Sequence, residues 1–179
     1  MMRAVGESGG KDSDPPVRLF VSYSHDNVAW TKRLLPVLKV KANVAGLRPW
    51  HDYELKAGDQ WDEEIRAELL RMDIFLCLVS VQFLASSYIQ TVELPEAVRR
   101  QQKGEIEIVP LLLYPIDWAA DCPMLKPFNP LPAFGKSWRE YEHDGGDWND
   151  ALYPIGNGLK QAIDKARARK EKTGLARSS

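Results

Sequence analysis

Hydrophobic and polar positions along this chain alternate between two kinds of segment. Short apolar runs rich in β-branched and aromatic residues are typical of strands. The runs that predict strands are residues 17–24, 46–50, 73–80, 106–114 and 135–141. The third run, DIFLCLVS, is continuously apolar, as expected for a central parallel strand that is covered on both faces. Pro49 predicts that the second run lies at the edge of a sheet.

Stretches with apolar residues at helical spacing lie between these runs. They predict helices at 26–40, 60–72 and 87–102 and a last helix within 146–172. Ser87 with Gln90 matches a capping box at the start of the third helix. Prolines predict a kink or an early end at Pro36, a bend at Pro95 and an interruption near 154–158.

This alternation of strands and helices predicts an α/β fold with a parallel sheet. Right-handed crossovers favour a flavodoxin-like three-layer sandwich, with helices on both faces of a five-stranded parallel sheet in the order 2-1-3-4-5. Ligands of such sheets bind outside the carboxyl ends of strands one and three. The loop 22–27 and the segment 80–93 follow those two strands, so the predicted topology brings them together.

Length and composition predict one domain of ordinary globular type. Residues 1–16 are polar, rich in Gly, Ser and Asp and closed by two prolines, which predicts a disordered leader. The domain is expected over 17–170, followed by a flexible tail at 171–179. The 24 basic and 25 acidic residues nearly cancel, so the net charge indicates neither a nucleic acid nor a membrane surface as partner.

Several other classes of protein are disfavoured. The longest apolar stretch, 74–85, falls short of a membrane span, and the leader lacks the apolar core of a secretory signal. The two cysteines, Cys77 and Cys122, do not suggest a disulfide framework, which favours a reducing cytoplasm. No metal-ligand spacing occurs among the histidines and cysteines, so no metal site is predicted.

Glu93 stands out in the third predicted helix, just after the buried strand. Its neighbour Glu96 has Arg99 and Arg100 at i+3 and i+4, the spacing of helical ion pairs. Glu93 has no basic residue at these spacings: Ala97 lies at i+4 and Ile89 at i−4. A carboxylate in this setting, next to the expected ligand cleft, is a candidate for catalysis; a solvent-exposed helix glutamate is the ordinary alternative.

The loop after the first strand, SYSHDN, has two interpretations. Free N–H groups at the following helix start attract anions, and Ser24 and Asn27 could add hydrogen bonds to a phosphate. Simple capping of the helix by Asp26 is the alternative that we favour for this residue. A Ser–His–Asp triad that uses Ser22 or Ser24 with His25 is disfavoured, because adjacent residues on one loop rarely reach triad geometry.

The tryptophans and the basic tail also allow alternatives. Trp50 could stack on a nucleotide ring or be a core aromatic residue at a strand end. Trp61 has helical spacing with Ile65, which favours packing. The basic run KARARKEK could contact nucleic acid, but a solvated helix end is the commoner use of such a run.

Four segments carry a family resemblance, which extends from about Arg18 to Ala168. RLFVSYSHDN, GLRPWHDYELKAGDQW, DIFLCLVSVQFLASSYIQTVEL and IEIVPLLL, in this order and spacing, resemble the Toll/interleukin-1 receptor (TIR) domain in its bacterial form. Many bacterial and plant members of that family cleave the nicotinamide–ribose bond of NAD, whereas others only scaffold signalling assemblies. By position, Glu93 matches the glutamate that catalytic members carry. Ile89 stands where an aromatic residue is usual, and Tyr88 is its neighbour.

The resemblance implies an NAD⁺ glycohydrolase or cyclase, activated by self-assembly through TIR–TIR contacts in bacterial anti-phage signalling. NAD⁺ would be its substrate, with no cofactor, and an upstream sensor domain or protein is a possible partner. Glu93 would be catalytic. The residues expected to bind the substrate are Ser22, Tyr23, Ser24, Trp50, Ser80, Tyr88 and Ile89.

This activity has two alternatives. A catalytically silent TIR scaffold would use the same surfaces without cleaving NAD⁺. A receiver-like phosphoacceptor is disfavoured, because Ser80 and the loop SYSHD stand where a receiver needs acidic residues. The resemblance further implies that the loop HDYELKAGD closes the cleft and mediates assembly, with Asp52 ordering it through backbone hydrogen bonds.

Overall fold

The fold is described by a computed structural model, which covers residues 16–51, 61–132, 135–143 and 145–177. Within these residues four strands form one parallel sheet in the order β2-β1-β3-β4. The strands are β1 (Val17–Ser22), β2 (Leu47–Trp50), β3 (Ile74–Val79) and β4 (Glu107–Leu112). The predicted α/β fold and the relative order of strands one to four are confirmed, and β2 is an edge strand as Pro49 predicted.

Helices cover both faces of this sheet. They are α1 (Val28–Ala45), α2 (Trp61–Arg71), α3 (Val81–Ala85), α4 (Leu94–Gln102), α5 (Trp118–Asp121), α6 (Trp138–His143) and α7 (Leu152–Arg177). Helices α1 and α7 pack on one face, and α2, α3 and α4 on the other. The third run is confirmed as the central strand: Leu76 and Leu78 of β3 enter one core and Phe75, Cys77 and Val79 the other, all fully buried.

The predicted fifth strand at 135–141 is wrong, because the second half of this segment begins helix α6. The Glu140 carboxylate accepts hydrogen bonds from the backbone N–H and the hydroxyl of Ser137, at the spacing of a capping box. At the edge of β4, Leu131 forms a β-bridge to the strand. Leu131 N–H donates to the Pro110 carbonyl at 2.8 Å, and its own carbonyl accepts from Leu112 N–H at 2.9 Å.

Two helices run through the prolines that were expected to end or interrupt them. Helix α1 continues past Pro36, which lies on its exposed side, to Ala45. Helix α7 is continuous from Leu152, because Pro154 falls in its first turn, where a backbone N–H has no intrahelical partner to lose. The apolar face predicted for the last helix is confirmed; it consists of the buried residues Leu159, Ala162, Ile163 and Ala166.

Helix α7 includes part of the segment that was predicted to be a tail. It extends to Arg177, past the expected start of a flexible tail at residue 171. Lys170 forms an ion pair with Asp73 at 2.6 Å, and Arg169 with Glu107 at 2.6 Å, so part of the basic run is held against the sheet. The predicted leader, 1–16, lies outside the described residues except for Pro16. No helix among the described residues is long and apolar enough to cross a membrane.

Candidate active site

The carboxyl end of β1 meets the segment after β3 at a buried hydrogen bond. Ser22 Oγ, on the last residue of β1, donates to Glu93 Oε2, although the two residues are 71 positions apart in sequence. Both are buried, with 6% of Glu93 and 2% of Ser22 exposed. The alternative of a solvent-exposed helix glutamate is therefore wrong for Glu93. The strand order places this carboxylate at the predicted switch point, since β1 and β3 are neighbours.

A wide helical turn presents Glu93 to this site. Residues Ile89–Glu93 form a π turn, in which the Leu94 N–H donates to the Ile89 carbonyl. Pro95, two residues after Glu93, cannot donate a backbone hydrogen bond, so the bend predicted there takes the form of this π turn. Turns of this type are frequent at functional sites. The cap of this segment is Ser86 and not the predicted Ser87, since Ser86 Oγ accepts from the Ile89 N–H at 3.4 Å.

Glu93 forms part of the wall of a cavity of about 240 Å³ at the carboxyl edge of the sheet. The cavity lies between the loop after β1, the start of α2 and the π turn. Its lining residues are Tyr23, Ser24, His25, Asp26, Trp61, Ser86, Tyr88, Ile89 and Glu93. Among the residues that the structure describes, no group of side chains could hold a metal ion. Among its described lining residues, the cavity presents the buried carboxylate of Glu93 beside aromatic and hydroxyl groups and the exposed side chains of His25 and Asp26.

Trp61 and Tyr88 form an aromatic wall of this cavity, with ring centroids 4.6 Å apart. The Tyr88 hydroxyl donates to Asp62 Oδ1 at 2.6 Å, and Asp62 Oδ2 accepts from Arg66 Nε at 2.8 Å. The hydrogen bond from Arg66, followed by that from Tyr88, lowers the pKa of Asp62. Burial, followed by the bond to Asp62, raises the pKa of Tyr88. Tyr88 therefore stays protonated at neutral pH and is held in place by α2.

The predicted substrate-binding residues take different positions in the structure. Tyr23, Ser24, Tyr88 and Ile89 line the cavity with Glu93, and Ser22 lies behind it as the hydrogen-bond donor to that carboxylate. The loop 22–27 and the segment 80–93 are thus brought together as the predicted topology required.

Ser80 lies outside the lining of this cavity and is completely buried. It is the N-cap of α3: its Oγ accepts from the Phe83 N–H at 3.0 Å and donates to Asn27 Oδ1 at 2.6 Å. Asn27, and not Asp26, is the N-cap residue of α1, and its side chain makes this contact in place of a capping bond. Ser80 therefore connects the start of α3 to the loop after β1.

Trp50 lines a different cavity, on the α2 side of the sheet edge. Its ring stacks on Phe20 with centroids 4.8 Å apart. Asp52 and the rest of the loop HDYELKAGD after His51 lie outside the described residues, so the expectations for that loop stay predictions.

Trp61 is the residue of this site that the sequence assigned to another role. Its spacing with Ile65 predicted that both residues pack in the core. Ile65 is buried, but Trp61 is 38% exposed and lines the cavity. The signal that could have identified it is its place as the first residue of α2, which begins at the ligand-binding edge of the sheet.

Comparison with known proteins identifies a family. The model of the TIR domain matches residues 19–147. An uncharacterised protein of Sinorhizobium fredii is 28% identical over 147 residues, which is 82% of this chain but 44% of that protein, so the chain spans less than half the length of this relative. The TIR domains of the activated Roq1 resistosome that directly recognises the pathogen effector XopQ align with 88% of this chain and 98% of theirs, at 14% identity and a TM-score of 0.47.

Proposed function

We infer the function of this chain from its membership of the TIR-domain family, to which it belongs because the family model matches more than half of its residues. We propose that it is an NAD⁺ glycohydrolase or cyclase that cleaves the bond between nicotinamide and ribose. The observation that carries the proposal is the position of Glu93, buried in a cavity wall at the carboxyl edge of the sheet and hydrogen-bonded by Ser22.

The proposed chemistry needs one carboxylate. As the bond between the ribose C1′ and the nicotinamide nitrogen breaks, its electron pair goes to the ring nitrogen and nicotinamide leaves as a neutral molecule. No general acid is required for this departure, unlike in ordinary glycosidases. Positive charge develops on the ribose, and the Glu93 carboxylate stabilises it. Water or a second nucleophile then bonds to C1′; water loses a proton in this step.

Ser22 acts as a positioning residue in this scheme. Its hydroxyl donates a hydrogen bond to Oε2 of Glu93, and this bond orients the carboxylate within the wall of the cavity. Trp61 and Tyr88 supply an aromatic surface on the same cavity, suited to the nicotinamide ring. Aromatic rings also attract cations, and the nicotinamide ring of NAD⁺ carries a positive charge that it loses on cleavage.

The size of the cavity favours activation by assembly. Its volume of about 240 Å³ lies below the range of about 300–1,000 Å³ that is usual for small-molecule sites. It accommodates the reacting end of NAD⁺ and leaves the rest of the dinucleotide to surfaces that a second copy would provide. The same small volume favours the second candidate, a silent scaffold that assembles through TIR–TIR contacts.

We also propose a biological setting for this activity. The S. fredii relative is more than twice as long as the segment it shares with this chain, so we propose that a sensor domain or partner protein triggers assembly. Depletion of NAD⁺ after such a trigger would serve bacterial anti-phage defence.

Replacement of Glu93 tests the proposed activity. We expect Glu93→Gln to abolish release of nicotinamide from NAD⁺ at protein concentrations where the parent is active, because the neutral amide cannot stabilise the developing ribose cation. Nicotinamide release is followed by chromatography, and circular dichroism and thermal unfolding establish that the variant folds.

Glu96→Gln is the matched control, since Glu96 lies one turn away, is paired with Arg99 at 2.6 Å and does not line the cavity. It should retain cleavage close to the parent level. Equal turnover by the parent and Glu93→Gln would refute the assignment of Glu93. A parent that assembles but releases no nicotinamide would establish the scaffold instead.

A further inference from the structure

Two arginine side chains lie next to each other at the edge of the sheet, away from Glu93. Arg18 of β1 and Arg48 of β2 are direct partners in the parallel register, so their side chains leave the same face. Neighbouring strands are about 4.8 Å apart. Like charges directly opposite each other on a sheet are destabilising. The fold therefore tolerates a repulsion here that an anion between the two guanidinium groups would remove.

Neither guanidinium group is neutralised within the described part of the chain. The backbone N–H of Arg18 donates to Asp73 Oδ2 at 2.8 Å, but among the described residues its side chain makes no ion pair. The same holds for Arg48 in that part of the structure. Both side chains are exposed, so each is available to a ligand from solution.

A cavity of about 180 Å³ adjoins this pair. Phe20, Trp50 and Met72 give it an apolar surface, and the Trp50 ring is held there by stacking on Phe20. Among the described residues, Glu68 is the one acidic residue of the lining, and its carboxylate forms an ion pair with Arg71 at 3.3 Å. The lining thus combines two guanidinium groups and a half-buried indole with one carboxylate that is already paired.

We propose that this cavity binds a nucleoside monophosphate. The phosphate lies between the guanidinium groups of Arg18 and Arg48, whose planar donors match phosphate oxygens. The base lies at the mouth of the cavity against Trp50, because the enclosed volume is too small for a whole nucleotide. Among the described residues, this cavity shares no lining residue with the Glu93 cavity, so we treat the site as separate from that of the proposed NAD⁺ cleavage.

The direct test is calorimetric titration of the full chain with AMP, inorganic phosphate and adenosine at constant ionic strength. AMP should bind more tightly than phosphate, and adenosine should give no measurable heat. Arg48→Gln should weaken AMP binding about tenfold or more, as expected for loss of a charge-assisted hydrogen bond. Arg139→Gln, the same change of charge on α6, should bind like the parent.

Thermal unfolding gives a second readout that does not depend on calorimetry. Without ligand at low salt, Arg48→Gln should be at least as stable as the parent, because the repulsion from Arg18 is gone. Phosphate should raise the Tm of the parent and leave that of Arg48→Gln unchanged. Glu93→Gln should bind AMP like the parent, so a failure of the NAD⁺ cleavage proposal leaves this result intact.

Three outcomes would overturn the proposal. Equal AMP affinity of the parent and Arg48→Gln would show that the arginine stems merely cover the apolar surface of Trp50 and Met72. An equal loss in Arg139→Gln would show non-specific attraction to a charged surface. Phosphate that binds as tightly as AMP would remove the nucleotide part of the assignment.

Discussion

Ser22 and Ser80 show how two serines of one predicted site take different roles. Both hydroxyls are buried and both donate to a side-chain oxygen, Ser22 to Glu93 and Ser80 to Asn27. A buried carboxylate is costly unless it is hydrogen-bonded, so Ser22 contributes both to stability and to the orientation of Glu93. Ser80 caps α3 and connects it to the loop after β1.

Alanine substitutions at Ser22 and Ser80 distinguish the orientation of Glu93 from the stability of the fold. Ser22→Ala and Ser80→Ala should each lower the free energy of unfolding by about 1–3 kcal/mol, since each leaves a buried acceptor without its donor. If Glu93 is catalytic, Ser22→Ala should also lower kcat for nicotinamide release about tenfold, by the loss of one hydrogen bond to a charged group. Chemical denaturation and steady-state kinetics measure the two effects. Equal kcat values for both variants would contradict the positioning role of Ser22.

Tyr88 gives a prediction about pH. Burial and the hydrogen bond to Asp62 raise its pKa above the ordinary value of about 10. The folded protein then keeps a proton that the unfolded chain loses, so this contribution to stability is complete below pH 10 and is lost as pH rises through the folded pKa. Between pH 10 and 11, the tyrosinate absorbance of the folded parent should equal that of folded Tyr88→Phe. A parent with one extra tyrosinate in that range would contradict the hydrogen bond between the Tyr88 hydroxyl and Asp62.

At the scale of elements, close approach decides where helix α7 sits against β4. A Cβ added to Gly158 would lie 2.3 Å from Leu131 Cδ2, whereas one added to Gly156 would meet Lys41 and Val37 at ordinary distances of 3.8 and 3.9 Å. Leu131 is the residue that bridges to the edge of β4. The absence of a side chain at Gly158 therefore allows the bridging segment to lie between α7 and the sheet.

Alanine at these two glycines makes a matched pair within one helix. Gly158→Ala should destabilise the fold by about 1–3 kcal/mol, because the methyl group forces Leu131 out of its position. Gly156→Ala should stabilise it by about 0.5–1 kcal/mol through helix propensity. Equilibrium unfolding in urea measures both changes. Similar stabilities for the two variants would show that the Leu131 side chain moves aside at little cost.

At the scale of the whole molecule, the small Glu93 cavity predicts that activity depends on assembly. If a second copy completes the site, turnover per molecule should rise with protein concentration, because the competent fraction rises and the apparent affinity for NAD⁺ rises with it. Nicotinamide release and mass by light scattering are measured at each concentration. Constant turnover by a strictly monomeric protein would rule out the assembly model.

Mixing provides the control for this prediction. A trace of parent protein should become active when excess Glu93→Gln is added, because the variant keeps its surfaces while its own carboxylate is removed. An equal excess of an unrelated protein should have no such effect. If the trace of parent gains nothing from the variant, copies do not complete each other's sites.

The sequence by itself determined the features that depend on local pattern. The alternation of strands and helices predicted the flavodoxin-like order, and the continuous apolar run of β3 and Pro49 of β2 predicted a central and an edge strand, in agreement with the observed order of the first four strands. That order places the loop after β1 beside Glu93, because the carboxyl ends of neighbouring parallel strands meet at one edge. The central part of the site was therefore predictable from chain order.

Only the tertiary structure decided the features that depend on residues distant in sequence. Leu131 replaces the predicted fifth strand because Gly158 admits it and α6 begins after Ser137. Trp61 lies in the cavity wall against the Tyr88 ring, a contact that helical spacing cannot reveal. Helical and strand periods report which face of an element is apolar. The residues that pack against that face come from other elements, so a local sequence pattern does not identify them.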